Sequence, residues 1–541
     1  MLVSFDKGII NATGSSRYDY DRMTVYVNGL IFLRGMKAGK ESIDHIVAAF
    51  RKDGKIPFHE IFGAYGIMLD THDGCLILFN DNSCMHGMFL SAGSIGSNFL
   101  EIIRHEGLDK MDELAVCEYL SLTRGFLTDS VIEGIRAADS QKYYEVKNGV
   151  LSEESKGIGG IDAPSSIMDP AGFMKDIAYA LSDIKCVCSL TGGFDSRMVA
   201  ATINHNKVCD CFISGDNKNS IEIRCAMQAA KAGNLAMQHI RPVFPQINDE
   251  YLMKFFIDKG GYQLRVGSSG FRIEHFMKTL ASRGYKVLLT GDAGDMHKEF
   301  WFIQDLPFYW KRKTSVHKFF KSRVEVIDYS QYLGEKAKAR YHEMEERCVQ
   351  KLQTLTKDRN TQSYLAFGWL VDWVSQSLKT AEASIPIVYA PLQEIEMVRY
   401  SYQLLPKGKR MNFFLRKMTT QVNLPMARAA TVYGTTASSE WLCMTRDFFM
   451  QIIQYSKQAL RYASRKLLRK TVLASSVDTA EFDHIVMKTQ TALRALEWAK
   501  REGYAKEGIT PDTVPFWFIE RLLNLYFIHE VTATNPIGAE A

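Results

Sequence analysis

Ser189-Leu190-Thr191-Gly192-Gly193-Phe194-Asp195-Ser196-Arg197 gathers glycine, hydroxyl and carboxylate groups into one short stretch. An apolar run, Lys185-Cys186-Val187-Cys188, precedes it, and Met198-Val199-Ala200-Ala201-Thr202-Ile203 follows as the start of a helix. A strand that passes through a glycine turn into a helix is suited to phosphate. Glycine lets the backbone approach an oxyanion, and the helix start offers unpaired N–H groups and a partial positive charge. Thr191 and Ser196 add hydroxyl donors. Asp195 repels phosphate unless a cation comes with it, and Mg²⁺ between carboxylate and phosphate oxygens meets that need. The stretch predicts a nucleotide site that handles pyrophosphate.

A second stretch, Val287-Leu288-Leu289-Thr290-Gly291-Asp292-Ala293-Gly294-Asp295, again runs from a strand into a glycine turn, now with two carboxylates. Asp292 and Asp295 stand three residues apart, which allows both to lie on one side of a turn. They suit Mg²⁺ binding, or base catalysis by one of them. Taken alone, a solvated turn explains this stretch as well. Neither stretch has the Gly-Lys-Ser/Thr ending of a Walker loop or a G-x-G-x-x-G pattern.

The elements that must position these turns follow from the surrounding pattern. Up to about residue 155 the chain reads as antiparallel strands and turns. Met23 to Val27 and Leu30 to Leu33 flank Asn28-Gly29, a hairpin signal. Tyr65 to Asp70 and Cys75 to Phe79 flank a second turn at Thr71 to Gly74, and Lys142 to Val150 predicts a third hairpin around Asn148-Gly149. Glu113 to Leu122 is apolar at helical spacing. Gly157-Ile158-Gly159-Gly160 and Ala163-Pro164-Ser165-Ser166 read as a linker. Beyond it, strands at Val187, Cys209 to Ser214 and Lys286 to Leu289 alternate with helices from Met198, Glu222 to Ala232 and Phe271 to Ser282. Such alternation predicts a parallel sheet with helices on both faces, whose ligands bind at the carboxyl ends of the strands. From about residue 315 the chain reads as helical, with Trp369, Trp373, Leu378, Leu392, Val398, Leu404, Phe413, Phe414 and Leu415 as apolar packing positions.

The chain has 541 residues, 46% hydrophobic and 23% charged, with a formal net charge of +5. That size predicts roughly two to four domains. The balance is that of an ordinary globular protein, and the charge is too small to argue for a nucleic-acid coat. No apolar run approaches the roughly 18 residues of a membrane span. No basic region followed by an apolar core opens the chain, so a cytoplasmic location is expected. Cys186 with Cys188 and Cys209 with Cys211 read as small buried side chains on parallel strands, and neither the cysteines nor the histidines show metal-ligand spacing. Lys457 to Lys470 reads as a basic amphipathic helix, suited to an anionic membrane, a nucleic acid or an acidic substrate, or simply to a solvated face. Lys311-Arg312-Lys313 is a second basic run.

Thr191 to Ser196 resembles the S-G-G-x-D-S loop of the N-type ATP pyrophosphatases. Thr290 to Asp295 resembles the S-G-E-G-x-D motif of the asparagine synthetase superfamily, and the two lie about a hundred residues apart, as that family requires. Cys211-Phe212-Ile213-Ser214-Gly215 is similar to the family's adenine-supporting strand, and Glu222 with Ala226, Ala229 and Ala230 to the helix after it. Tyr389-Ala390-Pro391-Leu392 and Leu404-Leu405-Pro406 are similar to its R-x-P-F-L-D … L-P segment. Ile61 to Asp70, Phe79-Asn80-Asp81 and Gly87 to Leu90 resemble strands of its glutaminase domain. The likeness covers about residues 20 to 435.

The resemblance implies an α/β protein with an N-terminal antiparallel αββα-like (Ntn-type) sandwich over 1–155. It implies a doubly wound ATP-pyrophosphatase domain over 156–435 and a helical C-terminal region over 436–541. It implies binding of ATP by Leu190, Thr191, Gly192, Gly193, Phe194, Asp195, Ser196, Ile213, Gly215, Thr290 and Gly291, and of Mg²⁺ by Asp195 and Asp295. Asp292, Lys409 and Arg410 are the implied catalytic residues, with Lys407 and Arg416 as further candidates for neutralising pyrophosphate. The reaction implied is adenylation of a small-molecule or peptide carboxylate, then attack by ammonia or an amine. Four departures qualify it. Residue 2 is Leu2, where a working glutaminase has a cysteine, so loss of glutamine hydrolysis is expected, as in β-lactam synthetases and lasso-peptide cyclases. Asn80 replaces an arginine, Asp292 a glutamate, and Asn412 stands nearest the family's lysine. Intramolecular amide formation and a non-catalytic nucleotide-binding descendant remain alternatives.

Overall fold

The structure, a computed structural model, describes residues 1–5, 9–122, 126–127, 129–206, 209–261, 265–298, 315–325, 328–354, 387–404, 411–450, 452–453, 456 and 480–534. Lys407, Lys409, Arg410, the Lys311 run, the Lys457 to Lys470 segment, Trp369, Trp373, Leu378, Leu405 and Pro406 lie outside the described residues.

The first 155 residues build two antiparallel sheets. One contains β1 (Leu2–Ser4), β2 (Ile9–Asn11), β7 (Phe89–Leu90), β8 (Ser94–Gly96) and β9 (Arg136–Ala137), in the order β2-β1-β8-β7-β9. The other contains β3 (Ser16–Tyr20), β4 (Met23–Leu33), β5 (Ile61–Asp70), β6 (Cys75–Asn80), β10 (Lys142–Lys147) and β11 (Val150–Ser155), in the order β11-β10-β6-β5-β4-β3. Strand alternation assigns the faces. Met68, Leu78, Tyr144 and Val146 meet Val3, Leu90 and Ile95 between the sheets. Val25, Val27, Ile67 and Leu69 point the other way and pack on Ile43, Ile46 and Val47 of the Lys40–Asp53 helix. Leu2 and Phe89 meet Phe99, Ile102 and Ile103 of the Phe99–Glu106 helix. The layers therefore run helix, sheet, sheet, helix.

The hairpin expected at Asn28-Gly29 does not form. β4 runs unbroken through it, pairing Asn28 with Gly66 and Gly29 with Tyr65. A type I′ turn needs positive φ at both central residues, whereas here only Gly29 has it, at 107°. That conformation brings the Gly29 backbone against Ala64, where a Cβ would sit 2.2 Å from the carbonyl oxygen. The hairpins at Thr71 to Gly74 and at Asn148-Gly149 do form.

A third sheet is wholly parallel. It contains β12 (Cys186–Ser189), β13 (Cys209–Ser214), β14 (Met237–Ile240), β15 (Val287–Leu289) and β16 (Ile387–Tyr389), in the order β14-β13-β12-β15-β16. Cys186, Cys188, Cys211, Ile213 and Leu289 face the Asp195–Ile203 and Ile221–Ala232 helices, in the largest core. Val187, Phe212, Ile240 and Leu288 face Met277 and Leu280 of the Ser268–Ser282 helix. Burial on both faces explains strands without polar alternation. The cysteines are free, and those of β12 and β13 lie side by side, Cys186 opposite Cys209 and Cys188 opposite Cys211.

The C-terminal helix Phe516–Thr534 joins the largest core through Phe518, Leu522, Leu525 and Ile528. Its Arg521 donates to the Leu120 carbonyl at 2.8 Å, and its Glu520 accepts the Val266 N–H at 2.7 Å. It thus ties residues of the antiparallel half to the loop before the Ser268–Ser282 helix. Phe413, read as a packing position, is 40% exposed. Among the described residues no helix is long and apolar enough to cross a membrane.

Candidate functional site

The strand order reverses between β12 and β15, and the two glycine turns leave the carboxyl ends of these neighbours. In open parallel sheets ligands favour such a reversal, at the carboxyl ends of the strands. Leu190 extends β12 by donating its N–H to the Phe212 carbonyl at 2.9 Å, while its side chain is fully buried. The chain then turns so that the Thr191 N–H donates to Ser196 Oγ at 2.9 Å, with the two hydroxyl oxygens 2.8 Å apart. The Ser196 hydroxyl is therefore spent on closing the loop. Asp195 starts the helix that follows.

Several groups fix the loop from outside. The Gly192 carbonyl accepts the Val432 N–H at 3.0 Å, and a Cβ on Gly192 would lie 2.3 Å from Val432 Cγ1. Phe194 stacks on Tyr433 with ring centroids 5.9 Å apart, and the Arg416 guanidinium lies 5.0 Å from the Phe194 centroid. Arg197 is buried and donates to the Ala429 and Ala430 carbonyls at 2.6 and 2.9 Å.

The second turn is built against the first. Thr290 donates its N–H to the Tyr389 carbonyl at 3.0 Å, which aligns it with β16. A Cβ on Gly291 would sit 2.4 Å from the Ser196 nitrogen, and one on Gly294 would sit 2.1 Å from Asp195 Cγ. Only glycine permits so close an approach. The Gly294–His297 turn then carries Asp295 and Lys298 to Asp195. Lys298 Nζ donates to Asp195, and lies 3.1 Å from Asp295 Oδ1. Burial pushes the Asp195 carboxyl above its ordinary range, against the pull of Lys298. Burial also works against the Lys298 charge, but the two carboxylates overcome it and hold the ammonium above the usual lysine range.

The structure thus joins Asp195 with Asp295. Asp292 is exposed and accepts the Thr290 hydroxyl at 2.8 Å. Ile213 is buried in the core, which leaves its backbone at the end of β13. Gly215 donates its N–H to the Ile240 carbonyl at 3.2 Å and accepts from His239 Nε2 at 2.7 Å. Arg416 does not suit the pyrophosphate role weighed for it, because it is fully buried and paired with Asp447 at 2.8 Å. Lys409 and Arg410 lie outside the described residues. Asn412 precedes the Phe413–Val422 helix in a left-handed conformation, φ 60°. Sequence reasoning missed Lys298 and Tyr433. Lys298 had a readable signal, a cation three residues after Asp295 in a tight turn.

The residues that would hold Mg²⁺ are two carboxylates, Asp195 and Asp295. Asp195 Oδ1 is buried and has no hydrogen-bond partner. Asp195 and Asp295 make a two-carboxylate set, and no group of three or more His, Cys, Asp or Glu suited to a metal occurs among the described residues. Mg²⁺ commonly takes one or two carboxylates and completes its shell with phosphate and water. The sequence matches no family model and no curated protein.

Proposed function

We propose that the chain is an ATP-dependent, AMP-forming carbon–nitrogen ligase of the asparagine synthetase type, acting on a small-molecule or peptide carboxylate. The observation that carries this reading is the contact between the two glycine turns where the parallel sheet reverses, with Asp195 and Asp295 on one ammonium. The helix–sheet–sheet–helix layering of the first 155 residues supports descent from an Ntn-type glutaminase domain.

ATP with Mg²⁺ supplies an electrophilic phosphorus, to which the substrate carboxylate is joined as pyrophosphate leaves. Gly192 and Gly193 let the backbone approach the phosphates, and the start of the Asp195–Ile203 helix faces them with its N–H groups. Asp195 and Asp295 would hold the metal. Lys298 adds a fixed positive charge beside the leaving group. The Ile213 and Gly215 backbone walls the base. Asp292, exposed at the mouth, accepts the proton of the attacking ammonia or amine. An amine on the same substrate molecule gives ring closure, as in β-lactam synthetases and lasso-peptide cyclases. Lys298 also favours a second reading, a nucleotide-binding protein without catalysis, because it satisfies both acids without a metal.

Pyrophosphate and AMP release from ATP and Mg²⁺ over a panel of carboxylates separates the readings. Release above an Asp195→Ala control is expected with at least one carboxylate. No release with any of them overturns the ligase in favour of the binding protein, and ADP in place of AMP overturns adenylation. Glutamate formed from glutamine by the same chain would restore a glutaminase.

A further inference from the structure

The helical residues 441–450, continued at 452 and 453, are inside out. Trp441 and Leu442 are 76% and 74% exposed, and Phe448, Phe449, Ile452 and Ile453 are exposed as well. These positions recur at i, i+7 and i+11, which places them on one helical stripe. The residue on the opposite side is Asp447, fully buried. It takes Arg416 at 2.8 Å and the Thr436 N–H and hydroxyl at 2.8 and 2.7 Å. Rolling the helix to hide the apolar stripe would break this buried pair and strand two charges, so the exposed orientation is locked. A contiguous stripe of large apolar side chains on a folded surface marks a contact.

The sequence names the chemistry of the occupant. From Phe448 to Val477 there is no Asp or Glu, while Lys457, Arg461, Arg465, Lys466, Arg469 and Lys470 supply six cations. We propose that the 441–453 face docks on an anionic lipid bilayer, with its aromatic and aliphatic side chains at the headgroup level and the cations that follow drawn to the lipid charge. Nucleic acid answers the cations but offers nothing to Leu442, Ile452 and Ile453. A second copy of the chain answers the apolar stripe but repeats the positive charge. A bilayer answers both. The surface adjoins the candidate nucleotide loop, since Gly434, next to Tyr433, has Met450 Cε 3.3 Å from where its Cβ would be. The proposal does not depend on the ligase reading.

Co-sedimentation of the full chain with vesicles tests it. Binding is expected to vesicles of equal phosphatidylcholine and phosphatidylglycerol, not to phosphatidylcholine alone, and to weaken as salt rises. The triple substitution Trp441→Ser, Phe448→Ser, Phe449→Ser is expected to weaken binding at least about tenfold with an unchanged melting temperature. Failure to sediment with anionic vesicles overturns the proposal, as does equal binding by the triple variant. Dimerisation in light scattering that the triple variant abolishes overturns it in favour of a second copy. Retardation of an oligonucleotide, without vesicle binding, overturns it in favour of nucleic acid.

Discussion

Asp195 and Asp295 belong to different turns, and two carboxylates brought together repel unless a cation lies between them. Lys298 is that cation, and its side chain is only 11% exposed. The arrangement solves one problem for the apo protein and sets another for the nucleotide complex, since a metal and the ammonium seek the same oxygens. Asp195 Oδ1, unpartnered, is the oxygen still open. Replacing Lys298 by Met leaves the two acids without their bridge, which is expected to destabilise the apo protein by about 1–3 kcal/mol. Mg²⁺ is then expected to raise the melting temperature of Lys298→Met more than that of the wild type, because it no longer competes with an ammonium. Equal Mg²⁺ effects on the two proteins in a thermal scan would remove the two carboxylates from any metal site.

At the scale of elements, the loop is held by the 429–433 segment. Arg197, on the helix that the loop starts, reaches the backbone at 429–430, and the next residues cover Gly192 and Phe194. Burial lowers the Arg197 pKa to about 10, which leaves the side chain cationic at neutral pH. Arg197→Met keeps the apolar stem but strands two buried carbonyls, with an expected loss of about 2–4 kcal/mol. The matching readout is chemical denaturation together with nucleotide affinity, and a stable variant with unchanged affinity would show that the 429–433 segment is not held through Arg197. Much of this geometry was legible in the sequence. Strand–glycine–helix at Cys186 to Ile203 and strand–glycine at Val287 to Asp295 are local patterns, and the structure puts them on neighbouring strands. Asn148-Gly149 was legible because both residues take positive φ, 53° and 76°. The same dipeptide at Asn28-Gly29 misled, because β5 pairs along all of β4 and long-range pairing overrides a turn signal. β14 and β16 do not read as strands: they are as short as β12 and β15 but have no glycine turn after them to mark them. β16 also pairs with β15 across a hundred residues of chain, a contact that no local pattern encodes.

The whole molecule is welded at a buried polar seam. Tyr389 of β16 meets Phe32 of β4 edge-on, with centroids 6.0 Å apart, and Phe62 of β5 meets Phe173 at 5.0 Å. Arg399, paired with Glu396, donates to the Ile158, Gly159 and Gly160 carbonyls, so the Gly-rich connection between the halves is pinned rather than slack. Between these contacts lies Glu394, which accepts the Gly63 N–H and the Tyr389 hydroxyl, both at 2.8 Å. Burial pushes its carboxyl up to about 8, despite both hydrogen bonds. Asp81 nearby is pushed up to about 6, again by burial and against the N–H groups of His86, Met85 and Ser83. A carboxyl whose folded pKa is raised contributes stability in its protonated form. That contribution is complete below the unfolded value of 4.5 and is lost as pH rises through about 8. Glu394→Gln keeps an acceptor for Gly63 and Tyr389 and cannot ionise. It is expected to match the wild type near about pH 5 and to exceed it by about 1–3 kcal/mol near about pH 9. Lys156, which burial lowers to about 8, shifts the balance the other way above that pH. It is common to both proteins, so the difference between their denaturation midpoints isolates Glu394. Parallel pH profiles would mean that Glu394 stays ionised at the seam and that water reaches the joint between the halves.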